Sequence, residues 1–310
     1  MQTGPYSYRD AIDDVRGLTD AQAKALDADL GDVDWEHRPR GVEKLVIDAP
    51  SGPLAALVAG DPAAPRVLLV PGVTGSKEDF SLVLPLLAAS GFRAESYDLA
   101  GQYESGTAGP EHLDPPRARY DHQLFVDDLL AVIAAGPSPV HLLGYSFAGT
   151  VAALVATGRP QLVASLTLLS TPPMSGQAFR GVKVLGPISG LAPGQVGAAL
   201  MIWGVRNNLN KAPEHRVPFV RKRFAHTRRQ SVSDIIGLMK RTPDLDAHLA
   251  ALPIPKLVVA GEHDLWSVEH HRAFAQRIGA GMLVTAGGHS PSEDSPVELA
   301  RAIVALADRA

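Results

Sequence analysis

The sequence predicts an α/β fold in which helices cover both faces of a mostly parallel central sheet. Short apolar runs that end at turn residues alternate with segments whose apolar residues recur at helical spacing. Strands that are joined through helices usually run parallel, and a parallel sheet is buried on both faces. The chain has 310 residues, of which 45% are hydrophobic, so it has ample material for such a core.

The first predicted element is a helix in an N-terminal extension at 1–40, which is polar and acidic. Thr19 stands before this helix as a candidate N-cap, and Gly31 ends it. The extension is expected to pack on the main body. Two strands follow at 45–47 and 54–58, on either side of a turn rich in proline and glycine.

The main body continues as alternating strands and helices. Further strands are predicted at 66–70, 94–98, 140–143, 163–169, 256–260 and 282–285. Helices are predicted at 80–90, 120–135, 146–157 and 296–310. The strands that read as short apolar runs are typical of a buried parallel sheet.

This alternation stops between Thr171 and Leu252, where pieces rich in proline and glycine precede a basic stretch. The sequence therefore predicts an α/β core at 41–171 and 252–310, with an inserted helical cap at 172–251. From 206 to 241 the cap has ten basic and two acidic residues. Pairing with the acidic body or solvation of one face is the favoured interpretation, and attraction of an anionic substrate is the alternative.

Composition excludes several classes of function. The chain has no cysteine, which excludes disulfides, cysteine-ligated metals and a cysteine nucleophile. The net charge of −4 gives no electrostatic case for nucleic acid or an anionic membrane. The N-terminus lacks the apolar core of a signal peptide, and no apolar run approaches the ~20 residues that span a bilayer. We expect a cytoplasmic protein whose oligomeric state stays open.

The central motif is Gly-Tyr-Ser-Phe-Ala at 144–148, where a predicted strand runs into a predicted helix. A serine at such a turn has its hydroxyl exposed at the carboxyl end of the strand, and strand and helix approach closely there. Gly144 and Ala148, two residues before and after Ser146, are small enough for that approach. A plain turn with an incidental serine gives the same short pattern.

A serine nucleophile needs a base, and a histidine base needs a carboxylate that orients it. Asp264 follows the predicted strand 256–260, and His289 follows the strand 282–285. In a parallel sheet both positions lie at the same edge as Ser146. The chain order of serine, aspartate and histidine is that of α/β-hydrolases.

With these motifs the chain resembles capped, esterase-like and lipase-like serine hydrolases of the α/β-hydrolase fold, over about 41–310. Val-Pro-Gly-Val-Thr-Gly-Ser at 70–76 resembles the oxyanion loop of that family, with Pro71 where many members have histidine. Asp-Leu-Ala-Gly-Gln-Tyr-Glu-Ser at 98–105 resembles the segment after the next strand. Ala148 stands where glycine is commoner.

The resemblance implies a role for each group. Ser146 would attack a carbonyl carbon, His289 would transfer the proton, and Asp264 would orient the histidine. The backbone N–H groups of Val73 and Phe147 would bind the oxyanion. The family chemistry implies a small ester-like substrate and needs neither a cofactor nor a metal.

Other assignments for these groups are weaker. Glu262 is the alternative acid, and the carboxylate of Asp98 is read as a loop cap. The histidines at 263, 270 and 271 are read as surface or capping residues, since no metal-binding helical pattern accompanies them. An aspartate nucleophile is excluded because Ser146 occupies the turn.

Apolar side chains of the acyl pocket are predicted from the cap and the site loops. Trp266, Met174 and Trp203 are the candidates for substrate binding, with Trp266 expected nearest the site. The leading interpretation is an ester hydrolase. A thioesterase, a lactonase, a carbon–carbon hydrolase or an acyltransferase would use the same residues, and a non-catalytic ligand-binding protein of this fold is the alternative from another class.

Overall fold

A single eight-stranded sheet organises the computed structural model, which describes residues 14–31, 33–179 and 216–310. Its strands in chain order are β1 (Val42–Ala49), β2 (Gly52–Ala59), β3 (Arg66–Val70), β4 (Arg93–Tyr97), β5 (Val140–Tyr145), β6 (Val163–Leu169), β7 (Lys256–Gly261) and β8 (Gly281–Thr285). They lie side by side in the order β1-β2-β4-β3-β5-β6-β7-β8. Strand β2 is antiparallel to β1 and β4, and the other neighbouring pairs are parallel.

The described helices flank this sheet or lie in the insertion between β6 and β7. They are α1 (Asp20–Ala28), α2 (Val83–Ala89), α3 (His122–Ala134), α4 (Phe147–Gly158), α5 (Val217–His226), α6 (Arg229–Met239), α7 (Asp246–Ala251), α8 (Val268–Arg277), α9 (Pro291–Asp294) and α10 (Pro296–Ala307). This architecture confirms the predicted α/β class with a mostly parallel sheet.

The core lies in two layers because successive side chains of a strand point to opposite faces of the sheet. On β3, Leu68 and Val70 pack in one cluster with apolar residues of α3, α4 and α8. Val67 and Leu69 pack in the other cluster, with residues of α2 and α10. Alternate residues of one buried strand therefore hold helices on both faces.

Helix α2 begins later than the predicted 80–90, because Pro85 lies in its first turn. Proline has no N–H, and only the first turn of a helix has no need of one. The chain before it forms a 3₁₀ turn at Lys77–Phe80 instead.

The N-terminal extension is attached to the last helix. Thr19 caps α1 in a reciprocal arrangement with Gln22, as its position predicts. At the end of α1, Asp27 accepts the backbone N–H groups of Val297 at 2.8 Å and Glu298 at 2.9 Å. These are N–H groups of the first turn of α10, which have no partner within that helix.

Three helices, α5 to α7, occupy the described part of the insertion between β6 and β7. The boundaries of a cap at 172–251 stay a prediction, and residues 180–215 lie outside the described residues. Two of the basic residues, Arg216 and Arg223, are buried and paired with carboxylates of the body. For these two residues the structure shows pairing with the body.

Candidate active site

Ser146 lies at a sharp turn between the end of β5 and the start of α4. Its backbone has φ 53° and ψ −121°, a left-handed conformation that is unfavourable for a side chain with Cβ. The Ser146 N–H donates to the Leu169 carbonyl at 2.8 Å, which ties the turn to the end of β6. Local strain of this kind persists only where the surrounding structure holds it, and it is typical of functional sites.

Two glycines make room for this turn. A Cβ on Gly144 would lie 2.4 Å from the Ala148 carbonyl oxygen and 2.6 Å from Gly149 Cα. A Cβ on Gly72 would lie 3.0 Å from the Ser146 Cβ. The first close approach is the one expected from the sequence motif, and the second brings the loop after β3 against the serine.

The structure brings the three predicted polar residues together at one edge of the sheet. His289 follows β8, and its Nε2 lies 3.2 Å from the Ser146 Oγ. Its Nδ1 lies 3.1 Å from the Oδ1 of Asp264, which follows β7. The three side chains thus form a continuous chain of contacts from hydroxyl to imidazole to carboxylate.

The Asp264 side chain has no exposed surface. Its Oδ1 also accepts the Trp266 backbone N–H at 3.2 Å, and His271 Nε2 lies 3.6 Å from the same oxygen. Burial alone would raise the pKa of this carboxyl, but His271, His289 and the Ser170 hydroxyl together hold the pKa of Asp264 well below its ordinary value. The carboxylate is therefore ionised at neutral pH.

His271 corrects the sequence-based interpretation of the three extra histidines. The sequence predicts a surface or capping position for it, but its side chain is fully buried, with its ring edge-on to Trp266. Helix α8, which carries it, is an addition to the helices predicted from the sequence. His271, Phe274, Ala275 and Ile278 recur at helical spacing and are all buried on one face of the helix. That spacing is the signal in the sequence that indicates both the helix and the burial of His271.

The rival acids lie elsewhere. Glu262 is exposed, and its described contact is a backbone hydrogen bond to Thr285. Asp98 is buried and accepts the Lys77 N–H at 2.7 Å and the Lys77 Nζ at 3.0 Å. It also accepts the Glu104 N–H at 3.1 Å, so it caps the loop as expected and binds a buried lysine as well.

The loop after β3 holds Val73, the residue expected to supply an oxyanion donor. Its neighbour Thr74 has φ 64° and donates its N–H to the Gln102 Oε1 at 2.6 Å. Lys77 and Asp98 hold the end of the same loop. Phe147 is the first residue of α4, where a backbone N–H has no partner within the helix. The Phe147 ring packs in the core, edge-on to Phe125.

The predicted substrate-binding residues have different surroundings in the described structure, and their role stays a prediction. Trp266 is buried with its ring centre 5.6 Å from that of His289, and its Nε1–H donates to the Ala178 carbonyl at 2.6 Å. Met174 lines a separate cavity beside α4 and α7, whose lining includes none of the three polar site residues. Trp203 lies outside the described residues.

Neither a membrane-spanning helix nor a metal-binding cluster occurs in the described part of the chain. Within residues 14–31, 33–179 and 216–310, no helix has the length and apolar character needed to cross a membrane. Over the same ranges, no group of three or more histidine, aspartate or glutamate side chains is arranged to hold a metal ion.

Comparison with known proteins gives a family match over most of the chain. The sequence model of a family described as "Alpha/beta hydrolase family" matches residues 67–302. Two human proteins, named serine hydrolase-like protein and serine hydrolase-like protein 2, are each 30% identical over 135 residues, which is 43% of this chain. The matched part spans 63% of the first human protein and 41% of the second.

Solved structures show the same fold. A thioesterase domain from the curacin biosynthetic pathway has a TM-score of 0.62 and 20% identity, covering 84% of this chain and 99% of that one. An enol-lactonase from Burkholderia xenovorans has a TM-score of 0.66 and 17% identity, again covering 84% of this chain and 99% of that one. An epoxide hydrolase from Vigna radiata has a TM-score of 0.69 and 16% identity, covering 87% of this chain and 99% of that one. These likenesses confirm the predicted α/β-hydrolase fold.

Proposed function

The chain belongs to the alpha/beta hydrolase family, and we propose that it is a serine hydrolase that cleaves a carboxylic ester or a related acyl bond. The observation that carries the proposal is the His289 ring, which lies 3.2 Å from the Ser146 Oγ on one side and 3.1 Å from Asp264 on the other. This is the arrangement of nucleophile, base and orienting acid that acyl transfer requires.

In the proposed reaction the Ser146 Oγ attacks the acyl carbon while His289 Nε2 takes the hydroxyl proton. The carbonyl electrons move to oxygen, and the backbone N–H groups of Phe147 and Val73 stabilise that oxyanion, at about 3 to 4 kcal/mol for each donor. When the tetrahedral intermediate collapses, the bond to the leaving group breaks and His289 donates the proton to it. Water then attacks the acyl-enzyme while His289 takes a proton from it. His289 returns that proton to the Ser146 Oγ as the acyl group leaves as the acid.

Asp264 supports both steps through His289. Its buried negative charge selects the tautomer in which Nδ1 carries the proton, which leaves Nε2 free to accept from Ser146. The same charge stabilises the imidazolium that forms.

The proposed substrate is a small molecule with an ester-like acyl bond, with Trp266 as one wall of the site. Its ring is in edge contact with the His289 imidazole, with the ring centres 5.6 Å apart. A thioesterase domain and an enol-lactonase are among the proteins with this fold. Thioesters and lactones therefore belong in the substrate panel beside simple esters.

The test compares wild type with Ser146→Ala on p-nitrophenyl esters of increasing acyl length, on thioesters and on lactones. Ser138→Ala is the matched control. Ser138 is exposed and lies just before the start of β5, whereas Ser146 follows its end. We expect turnover to fall at least about 10⁴-fold in Ser146→Ala, since loss of a nucleophile leaves only binding and oxyanion stabilisation. Ser138→Ala should retain wild-type turnover.

A fluorophosphonate probe provides a second readout, because it labels an activated serine without requiring the natural substrate. The label should map to the peptide that contains Ser146. Turnover that survives in Ser146→Ala would contradict the proposed nucleophile. Absence of both turnover and labelling in wild type would favour a non-catalytic ligand-binding protein.

A further inference from the structure

His271 is a fully buried imidazole that the proposed reaction does not use. It lies on α8, one turn past the Ser267 N-cap, and its side chain has no exposed surface. Its ring packs edge-on to Trp266 with the ring centres 6.2 Å apart. His270, the preceding residue on the same helix, is exposed.

The buried ring faces the acid of the site. His271 Nε2 lies 3.6 Å from Asp264 Oδ1, the same oxygen that His289 Nδ1 approaches at 3.1 Å. Both histidines therefore converge on one carboxylate oxygen. The carboxylate is fully buried, so this contact is not screened by water.

The His271 ring must carry a proton on at least one nitrogen, and a buried N–H without an acceptor destabilises the folded state. Neither ring nitrogen makes a hydrogen bond with another described residue. At 3.6 Å the contact with Asp264 is slightly longer than a hydrogen bond. Contacts of this kind in ligand-free sites often shorten when substrate binds.

We propose that His271 is a positioning residue, which donates its Nε2–H to Asp264 Oδ1 and so holds the carboxylate that orients His289. This inference rests on the proposed function and adds a second histidine to it. A donor at Oδ1 fixes the carboxylate plane. It also takes part of the negative charge that otherwise acts on His289 and on the Trp266 N–H.

The direction of the electrostatic effect follows from that sharing. Without the His271 donor, more of the Asp264 charge acts on the imidazolium form of His289, and that form becomes easier to reach. The acid limb of the pH–rate profile should then move to higher pH. Among described residues, Asp264 is the only charged group within ion-pair distance of His271, and Asp264 also contacts His289.

The first test needs no variant. In ¹⁵N-labelled wild type, long-range ¹H–¹⁵N spectra report which ring nitrogen of each histidine carries a proton. We expect His271 to carry its proton on Nε2, the nitrogen that lies 3.6 Å from Asp264 Oδ1. A His271 ring that carries its proton on Nδ1 alone would overturn the proposal, because Nε2 would then face the carboxylate as a second acceptor.

The second test compares His271→Phe, His271→Gln and His270→Gln. Phenylalanine fills the buried site without a donor, glutamine places an amide N–H near the position of Nε2, and the exposed His270 is the matched control. For His271→Phe we expect kcat to fall roughly 10-fold, the worth of one hydrogen bond to a charged group, with KM changed by less than about twofold. His271→Gln should recover most of the loss.

The pH profile separates positioning from a merely structural role. We expect the acid limb of kcat/KM to move up by about 0.5 to 1 pH unit in His271→Phe and to stay near wild type in His271→Gln and His270→Gln. An unmoved limb in a folded His271→Phe protein would overturn the proposal. If His271→Phe does not fold, the wild-type tautomer decides the question.

Failure of this proposal differs from failure of the proposed function. The His289 ring signals can be titrated by NMR in wild type and in His271→Phe without any substrate. If no substrate is turned over but the His289 titration still moves up, the positioning role stands and the enzymatic role falls. If Ser146-dependent turnover is present but the titration does not move, the enzymatic role stands and the positioning role falls.

Discussion

Arg223 Nη1 lies 2.6 Å from Asp79 Oδ1, and this contact joins the insertion to the loop that follows β3. Asp79 also accepts the Ser76 N–H at 3.2 Å, within the loop that holds Val73. Arg216, just before α5, is paired with Asp79 and with Glu293, four residues past His289. Arg216 and helix α5 of the insertion are thus attached to both loops beside the site.

Replacement of Arg223 by methionine should destabilise the protein by roughly 1.5 to 3 kcal/mol, because Asp79 would lose one of its two buried arginine partners and keep Arg216. Lys222→Met is the matched control: the Lys222–Glu36 pair is half exposed, so its loss should change stability by less than about 1 kcal/mol. Urea unfolding of both variants measures the difference.

The same variant tests the idea that the basic stretch attracts anionic substrates. Asp79 already neutralises the Arg223 charge, so we expect Arg223→Met to slow the hydrolysis of anionic and neutral esters equally. Turnover of both ester types is measured at low and at high salt, where any difference between them would be detected. A selective loss with anionic esters would restore that interpretation.

Gly144→Ala should destabilise the fold by about 3 kcal/mol or more, because the new Cβ would meet backbone atoms of Ala148 and Gly149 that cannot move aside. Gly237→Ala is the control. Gly237 lies inside α6, and a Cβ there would have no atom within 4 Å, so alanine should stabilise by about 0.5 to 1 kcal/mol. Thermal unfolding of the two variants should give shifts of opposite sign, and equal shifts would contradict the close approach at the turn.

Asp27→Asn should change how stability depends on pH. Burial raises the pKa of Asp27 from 3.8 to about 7, although two backbone N–H groups donate to it. Between these values the folded protein holds a proton that the unfolded chain has lost, so this carboxyl contributes less stability as pH rises from about 4 to about 7. Asparagine is neutral throughout and keeps an acceptor for α10. The melting temperature of Asp27→Asn relative to wild type should therefore rise over that range.

Asp29→Asn is the control for that titration, since the Asp29 side chain is exposed two residues later. Other buried carboxyls titrate in both proteins and cancel in the difference between variant and wild type. If the difference in melting temperature between Asp27→Asn and wild type stays constant from about pH 4 to about pH 7, the raised pKa of Asp27 is contradicted.

Strands β3, β6 and β7 could be predicted because they are short apolar runs bounded by turn residues, and they match their predicted ranges to within a residue. Helix α8 could have been predicted but was not, since a histidine occupies one of its apolar-face positions. The start of α2 depends on where Pro85 lies in the first turn. The spacing of apolar residues predicts that a helix is present at 80–90, but it does not indicate at which residue the first turn begins.

The α/β fold, the small residues around Ser146, and the chain order of Ser146, Asp264 and His289 can all be read from the amino-acid sequence. These follow from local periodicity and from the geometry of a parallel sheet, which brings the carboxyl ends of its strands to one edge. Three contacts are seen only in the folded molecule: His271 lies beside Asp264, Arg223 is paired with Asp79, and Asp27 accepts N–H groups at the start of α10. Each of these contacts joins side chains from separate elements, so it depends on how those elements pack and is not written in any local pattern.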